Sequence, residues 1–230
     1  MKNNKIIRSL VWGICLMLAF ALWTAMVIFV DVQPAGQNGT NIGMAGFNVW
    51  FHELTGVNML LYTVTDWLGL VPVFICLCYG ALGVCQWIQR KNPFRVDPDI
   101  ILLGVYFVIV IAEYLIFEMI PINYRPVLIE GVLEASYPSS TTLLVLSVMP
   151  AFQFQTARRT DNKVLRTVTN IFVISFSLFM VIGRLISGVH WFTDIFGSVL
   201  ISFGIFFIYR FFVFLTDKNI STGSDKLGIQ

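Results

Sequence analysis

Charge is what this sequence has least of: Asp, Glu, Lys and Arg make up 12% of its 230 residues, and there are two histidines. Set against 57% hydrophobic residues and a mean hydropathy of +0.79, that scarcity excludes a water-soluble domain and describes a polytopic membrane protein. The basic residues are scattered through short loops and the formal net charge is +2, so there is no electrostatic footprint for nucleic acid. Cysteine is sparse as well. Cys15, Cys76, Cys78 and Cys85 all lie in apolar runs without metal-ligand or redox spacing, which makes them small packing residues and leaves the redox compartment open. There is no internal repeat, and the residues present require neither a metal nor a cofactor.

What the chain does have is long apolar runs. Six approach the roughly 20 helical residues that a hydrocarbon core demands: about 8 to 30, 67 to 88, 100 to 120, 138 to 157, 167 to 187 and 190 to 214. The first follows Lys2, Lys5 and Arg8 as a signal peptide would. Its apolar run exceeds the roughly 7 to 15 residues of such a segment, so a retained helix is expected. Residues 31–66 contain Pro34, several glycines and then Phe47-Asn-Val-Trp-Phe-His-Glu-Leu, an aromatic stretch expected to lie along the membrane interface, with His52 as an interface residue. The expected fold is therefore all-α: six transmembrane helices in one domain (1–216), an interfacial helix in the first outer loop, and a flexible cytoplasmic tail at 217–230.

Orientation follows from the lysines and arginines, since basic loops stay cytoplasmic. With the N-terminus inside, 13 of the 15 basic residues fall on the cytoplasmic side and both termini are cytoplasmic. Arg125 and Arg184 are the two on the opposite face.

Those two arginines stand in unusual company. Arg184, His190 and Asp194 fall within eleven residues, and charged groups so close to hydrocarbon are costly enough to suggest function. Arg125 ends the stretch Glu118-Met-Ile-Pro-Ile-Asn-Tyr-Arg125. After it, Ser136-Tyr-Pro138-Ser139-Ser140-Thr141-Thr142 reads as a helix N-terminus with proline in the first turn, whose free N–H groups suit a phosphate oxygen. Gly188 allows a sharp turn, and His190 and Asp194 then share one helical face. Together these groups can perform phosphoryl chemistry. A neutral imidazole nitrogen of His190 attacks phosphorus while Asp194 fixes the tautomer, Arg125 and Arg184 clamp the oxygens, and Ser139 and Ser140 add donors. Blander roles compete: Asp194 as a helix cap, Arg125 as a snorkelling anchor, the Ser-Ser-Thr-Thr run as a cap, Trp191 and Phe192 as packing. Glu113, inside the third run, is either structural or close to the site.

These residues resemble the type 2 phosphatidic acid phosphatase (PAP2) superfamily, and the resemblance extends over roughly residues 60 to 215. The family pattern is a lysine seven residues before Arg-Pro, then Pro-Ser-Gly-His, then Ser-Arg, five residues, His, three residues, Asp. Arg125-Pro126, Pro138-Ser139 and Arg184, His190 and Asp194 match in order and spacing, with Gly183 where serine is usual. The resemblance implies a membrane lipid phosphatase that works through a phosphohistidine at the outer face, on a lipid phosphate in the bilayer. Two positions depart. Glu118 replaces the lysine, and Ser140-Thr141 replaces Gly-His, whose histidine is the family's general acid. Such an acid is worth about 10² to 10⁴ in rate. A diphosphate leaving group, with a second pKa of about 6, departs without a proton, so a lipid diphosphate such as a polyprenyl diphosphate is the expected substrate. The alternative is an impaired PAP2-fold protein that binds or moves a lipid phosphate headgroup. A small transporter is the third reading, disfavoured because the polar residues gather at one face and form no midplane path.

Overall fold

A computed structural model of the chain describes residues 2–227. Among these, eight α-helices follow one another: α1 (Lys2–Phe29), α2 (Ala45–Thr55), α3 (Met59–Leu68), α4 (Leu70–Arg90), α5 (Pro98–Met119), α6 (Ser140–Arg159), α7 (Lys163–Ile186) and α8 (Phe192–Leu227). α3 and α4 run on from each other with a break at Gly69, so the chain passes along the bundle six times. Five stretches are long and apolar enough to cross a membrane: Asn3–Phe29, Met59–Arg90, Pro98–Met119, Lys163–Ile186 and Phe192–Ile220. The second begins earlier than the expected residue 67, because α3 extends it.

α6, the expected span at 138–157, does not meet that standard of apolarity, and its position explains why. It packs against α4, α5, α7 and α8. Thr142, Ser147 and Gln155 are buried along it. A helix walled by other helices need not be lipid-like, and two bonds tie it to its neighbours. Tyr106 Oη donates to the Ser147 carbonyl at 2.9 Å, and Gln155 Nε2 meets Tyr209 Oη at 2.6 Å. The outer helices invert this pattern, exposing large apolar groups such as Leu22, Leu60, Trp67, Phe74 and Ile171.

α1 lies along α8 and is fastened at one end, where Trp23 Nε1 donates to the Thr193 carbonyl (3.1 Å) and Thr24 Oγ1 bonds Tyr137 Oη (2.7 Å). α2 forms within the aromatic stretch that was expected to be helical, and Asn48 ties it to Thr193 Oγ1 at 3.0 Å. At the start of the expected tail, α8 continues to Leu227, and Asp217 accepts two bonds from Arg158 at 2.7 and 3.0 Å. An ion pair across the bundle end holds the start of that extension, which local composition alone could not show; residues 228–230 lie outside the described residues.

Candidate active site

One end of the bundle collects the start of α3, the end of α5, the loop 120–139, the start of α6, the end of α7 and the start of α8. The loop folds back on itself: Arg125 N donates to the Glu134 carbonyl (3.0 Å), Ser136 N to that of Asn123 (2.9 Å), and Trp191 Nε1 to that of Tyr124 (2.7 Å). This carries Arg125, early in a non-helical segment by sequence, into the same buried corner as Arg184 and His190. Gly188 makes the turn that delivers His190. Its φ is +67°, and a β-carbon there would lie 1.9 Å from the Gly56 carbonyl oxygen, so the expected need for glycine is doubly met.

His190 Nδ1 lies 3.1 Å from the Ser136 carbonyl oxygen. A carbonyl can only accept, so Nδ1 carries the hydrogen and Nε2 keeps its lone pair. Asp194, expected to make this bond, stands 3.6 Å from Nδ1 and instead accepts from Trp191 N at 2.9 Å through the same Oδ2. It thus caps the first turn of α8 as the third residue of a capping box does. The correction is one of role: a backbone carbonyl fixes the tautomer, and the carboxylate supplies a neighbouring negative charge. In the loop between α7 and α8, burial first, then the charges of Arg125 and Arg184, hold the His190 imidazole well below the usual histidine range.

The arginines are the most unusual side chains here. Arg184 is 1% exposed. Its Nη2 donates to Thr141 Oγ1 at 2.6 Å and Asp66 Oδ1 at 3.3 Å, and its Nη1 reaches the Tyr62 carbonyl at 3.5 Å. Arg125 Nη2 pairs with Glu134 at 3.0 Å. The Tyr62 ring underlies both guanidinium groups, 4.8 Å from Arg184 Cζ and 5.8 Å from Arg125 Cζ. Yet Arg125 Nε and Nη1, Arg184 Nε, His190 Nε2 and Ser139 Oγ are buried without a hydrogen-bond partner. A buried donor left unsatisfied costs about 1–3 kcal/mol, and more when charged.

The other sequence candidates divide. Ser139 is the N-cap of α6, its N–H donating to the Asp194 carbonyl at 3.2 Å. Pro138 therefore precedes the cap and does not occupy the first turn. Ser140 and Thr141 open α6 and line a cleft of about 380 Å³ between α3, α4, α5 and α6, whose walls include Val73, Val110 and Tyr114. Thr141 is committed to Arg184 as an acceptor. Glu118 is exposed and pairs with neither arginine; it borders a narrow crevice of about 10 Å³ together with His190 and Ser136. Glu113 lines a separate cleft with Tyr106 and Tyr209. Tyr62 and Asp66 were not singled out by the sequence: an i, i+4 pair on an apolar helix carries no signal until its partner is known.

Residues 120–217 match the family model described as PAP2 superfamily. The fold resembles the crystal structure of a transmembrane PAP2-type phosphatidylglycerolphosphate phosphatase from Bacillus subtilis, with a TM-score of 0.62 and 16% identity over 87% of this chain and 94% of that one. At that identity the likeness is one of fold. No curated protein matches the chain.

Proposed function

With residues 120–217 matching the PAP2 superfamily, we propose that this multi-pass membrane protein is a lipid phosphatase that removes the terminal phosphate of a lipid diphosphate. One observation carries the reading: Arg125, Arg184 and His190 are buried together with donor and nucleophile atoms that no protein group satisfies. A tetrahedral phosphate oxyanion suits that set.

His190 Nε2 attacks the terminal phosphorus. The N–P bond forms as the bridging P–O bond breaks, and its electron pair leaves with the lipid monophosphate. Ser136 keeps the hydrogen on Nδ1, and the Asp194 carboxylate offsets the charge that develops on the ring. Arg125, Arg184 and Ser139 hold the phosphoryl oxygens. Ser140 stands at the first turn of α6, where its free N–H joins them. The cleft beside Thr141 accommodates the lipid chain. Thr141 is an alcohol, far too weak an acid to protonate a poor leaving group near neutral pH, which favours a phosphate over an alkoxide. The basic-residue distribution supports both termini in the cytoplasm and the site on the extracytoplasmic face.

The test is phosphate release by the purified protein from phosphatidic acid and from farnesyl diphosphate in the same detergent micelles. A preference of at least about tenfold in kcat/KM for the diphosphate is expected. A clear preference for the monoester contradicts the reading. Binding of both lipids without release from either favours the second reading, a headgroup-binding protein, to which the commitment of Thr141 to Arg184 also lends support.

A further inference from the structure

We propose that Asp66 is the general base that hydrolyses the phosphohistidine, taking over from α3 the position left empty of an ionisable group at Thr141; the inference rests on the phosphatase reading above.

Its placement is built into the packing. α3 crosses the end of α7, and a β-carbon on Gly183 would lie 2.7 Å from Thr65 Cγ2. A side chain at position 183 would push α3 away, so the glycine there is what allows α3 to approach. Thr65 is fully buried at that contact. Tyr62 and Asp66, four residues apart, then both reach Arg184, one with its ring and carbonyl, the other with its carboxylate. Asp66 and Thr141 accept from the same nitrogen, Nη2, while the adjoining Nε of that planar group remains without a partner. A phosphoryl oxygen held on Nε would share an edge of the guanidinium group with the nitrogen that Asp66 accepts from.

Other carboxylates are less suited. Glu134 is paired with Arg125, and Asp194 is buried on the Nδ1 side of the ring, away from a phosphorus carried on Nε2. Glu118 bonds to neither arginine. Like Glu134, Asp66 bonds to a phosphate-holding arginine, and its side chain is the more exposed of the two at 57%. It also lines the cleft with Ser140 and Thr141.

The step balances without a further reactant. A water oxygen bonds to phosphorus as the P–Nε2 bond breaks and its electron pair returns to His190. Asp66 takes the water proton, inorganic phosphate departs, and the proton passes from Asp66 to bulk water.

The experiment uses the full chain in detergent micelles with farnesyl diphosphate labelled in its terminal phosphate. Asp66→Asn is expected to form the phosphoenzyme with wild-type amplitude and rate while steady-state phosphate release falls about 10²-fold or more. Added formate is expected to restore turnover to Asp66→Ala, which chloride at equal ionic strength does not. Turnover of Asp66→Asn within threefold of wild type overturns the inference. So does a parallel loss of phosphoenzyme and turnover without formate rescue, since Asp66 then merely positions Arg184. A wild type that releases phosphate with no trapped phosphoenzyme contradicts the phosphohistidine route itself, and this inference with it.

Discussion

The two ends of the bundle use arginine in opposite ways. At the end that carries most of the basic residues, several guanidinium groups are partly exposed and paired: Arg90 with Asp97, Arg158 with Asp99 and Asp217, Arg159 with Asp97 and Asp99, while Arg210 lies among phenylalanine rings with its Nε unpartnered. At the other end, Arg125 and Arg184 are buried and keep nitrogens without acceptors, next to an imidazole nitrogen in the same condition. Partly exposed pairs are worth about 0–1 kcal/mol each and serve orientation and docking. Buried, under-satisfied cations weaken the fold, and they persist where an anionic ligand completes them. On the proposed reading, the contrast separates structural charge from working charge within one small protein.

Substitutions sharpen or break that contrast, and the largest effect falls on the nucleophile: His190→Ala is expected to lower phosphate release from farnesyl diphosphate on the order of 10⁴-fold in steady-state assays. Next, Arg184→Ala and Arg125→Ala are each expected to cost about 10²–10³ in kcat/KM. The same change at Arg158 should leave kcat/KM within twofold, and equal losses at both ends would dissolve the distinction. Thr141→His restores an ionisable group where Thr141 now serves Arg184, so hydrolysis of phosphatidic acid should rise about tenfold or more, with little gain on the diphosphate. A smaller effect concerns pH. His190 is held well below the usual histidine range by burial and by the two arginine charges, so its attacking neutral form persists as pH falls. The rate of phosphoenzyme formation should therefore change less than about twofold between roughly pH 7.5 and 6, measured by rapid quench, across the ordinary histidine value near 6.5. A fall of about fourfold over that range would mean an unperturbed imidazole. The smallest effect is expected for Asp217→Asn, a loss of about 1 kcal/mol or less in thermal stability with activity unchanged.

Much of this arrangement was legible in the chain. Apolar runs of span length give their helices by composition, and Arg184, His190 and Asp194 announce themselves because charge is so rare around them. Arg125 needed the topology count to be placed at the same end. What stayed hidden depends on packing between distant segments. α6 is too polar to read as a lipid-facing span, since its surroundings are other helices. Asp194 caps α8 while Ser136, outside the motifs, supplies the carbonyl that orients His190. Tyr62 and Asp66 acquire meaning through the close approach of Thr65 to Gly183, a contact between helices more than a hundred residues apart. The tail beyond Thr216 reads as loose because the partner of Asp217 is Arg158, far away in sequence.

The most direct test of the account is to quench the wild-type protein during turnover of terminally labelled farnesyl diphosphate and map the trapped label. The account predicts one acid-labile, alkali-stable phosphate per chain on His190, absent from His190→Ala. Phosphate release at the wild-type rate by His190→Ala, with no label on the histidine, would contradict it.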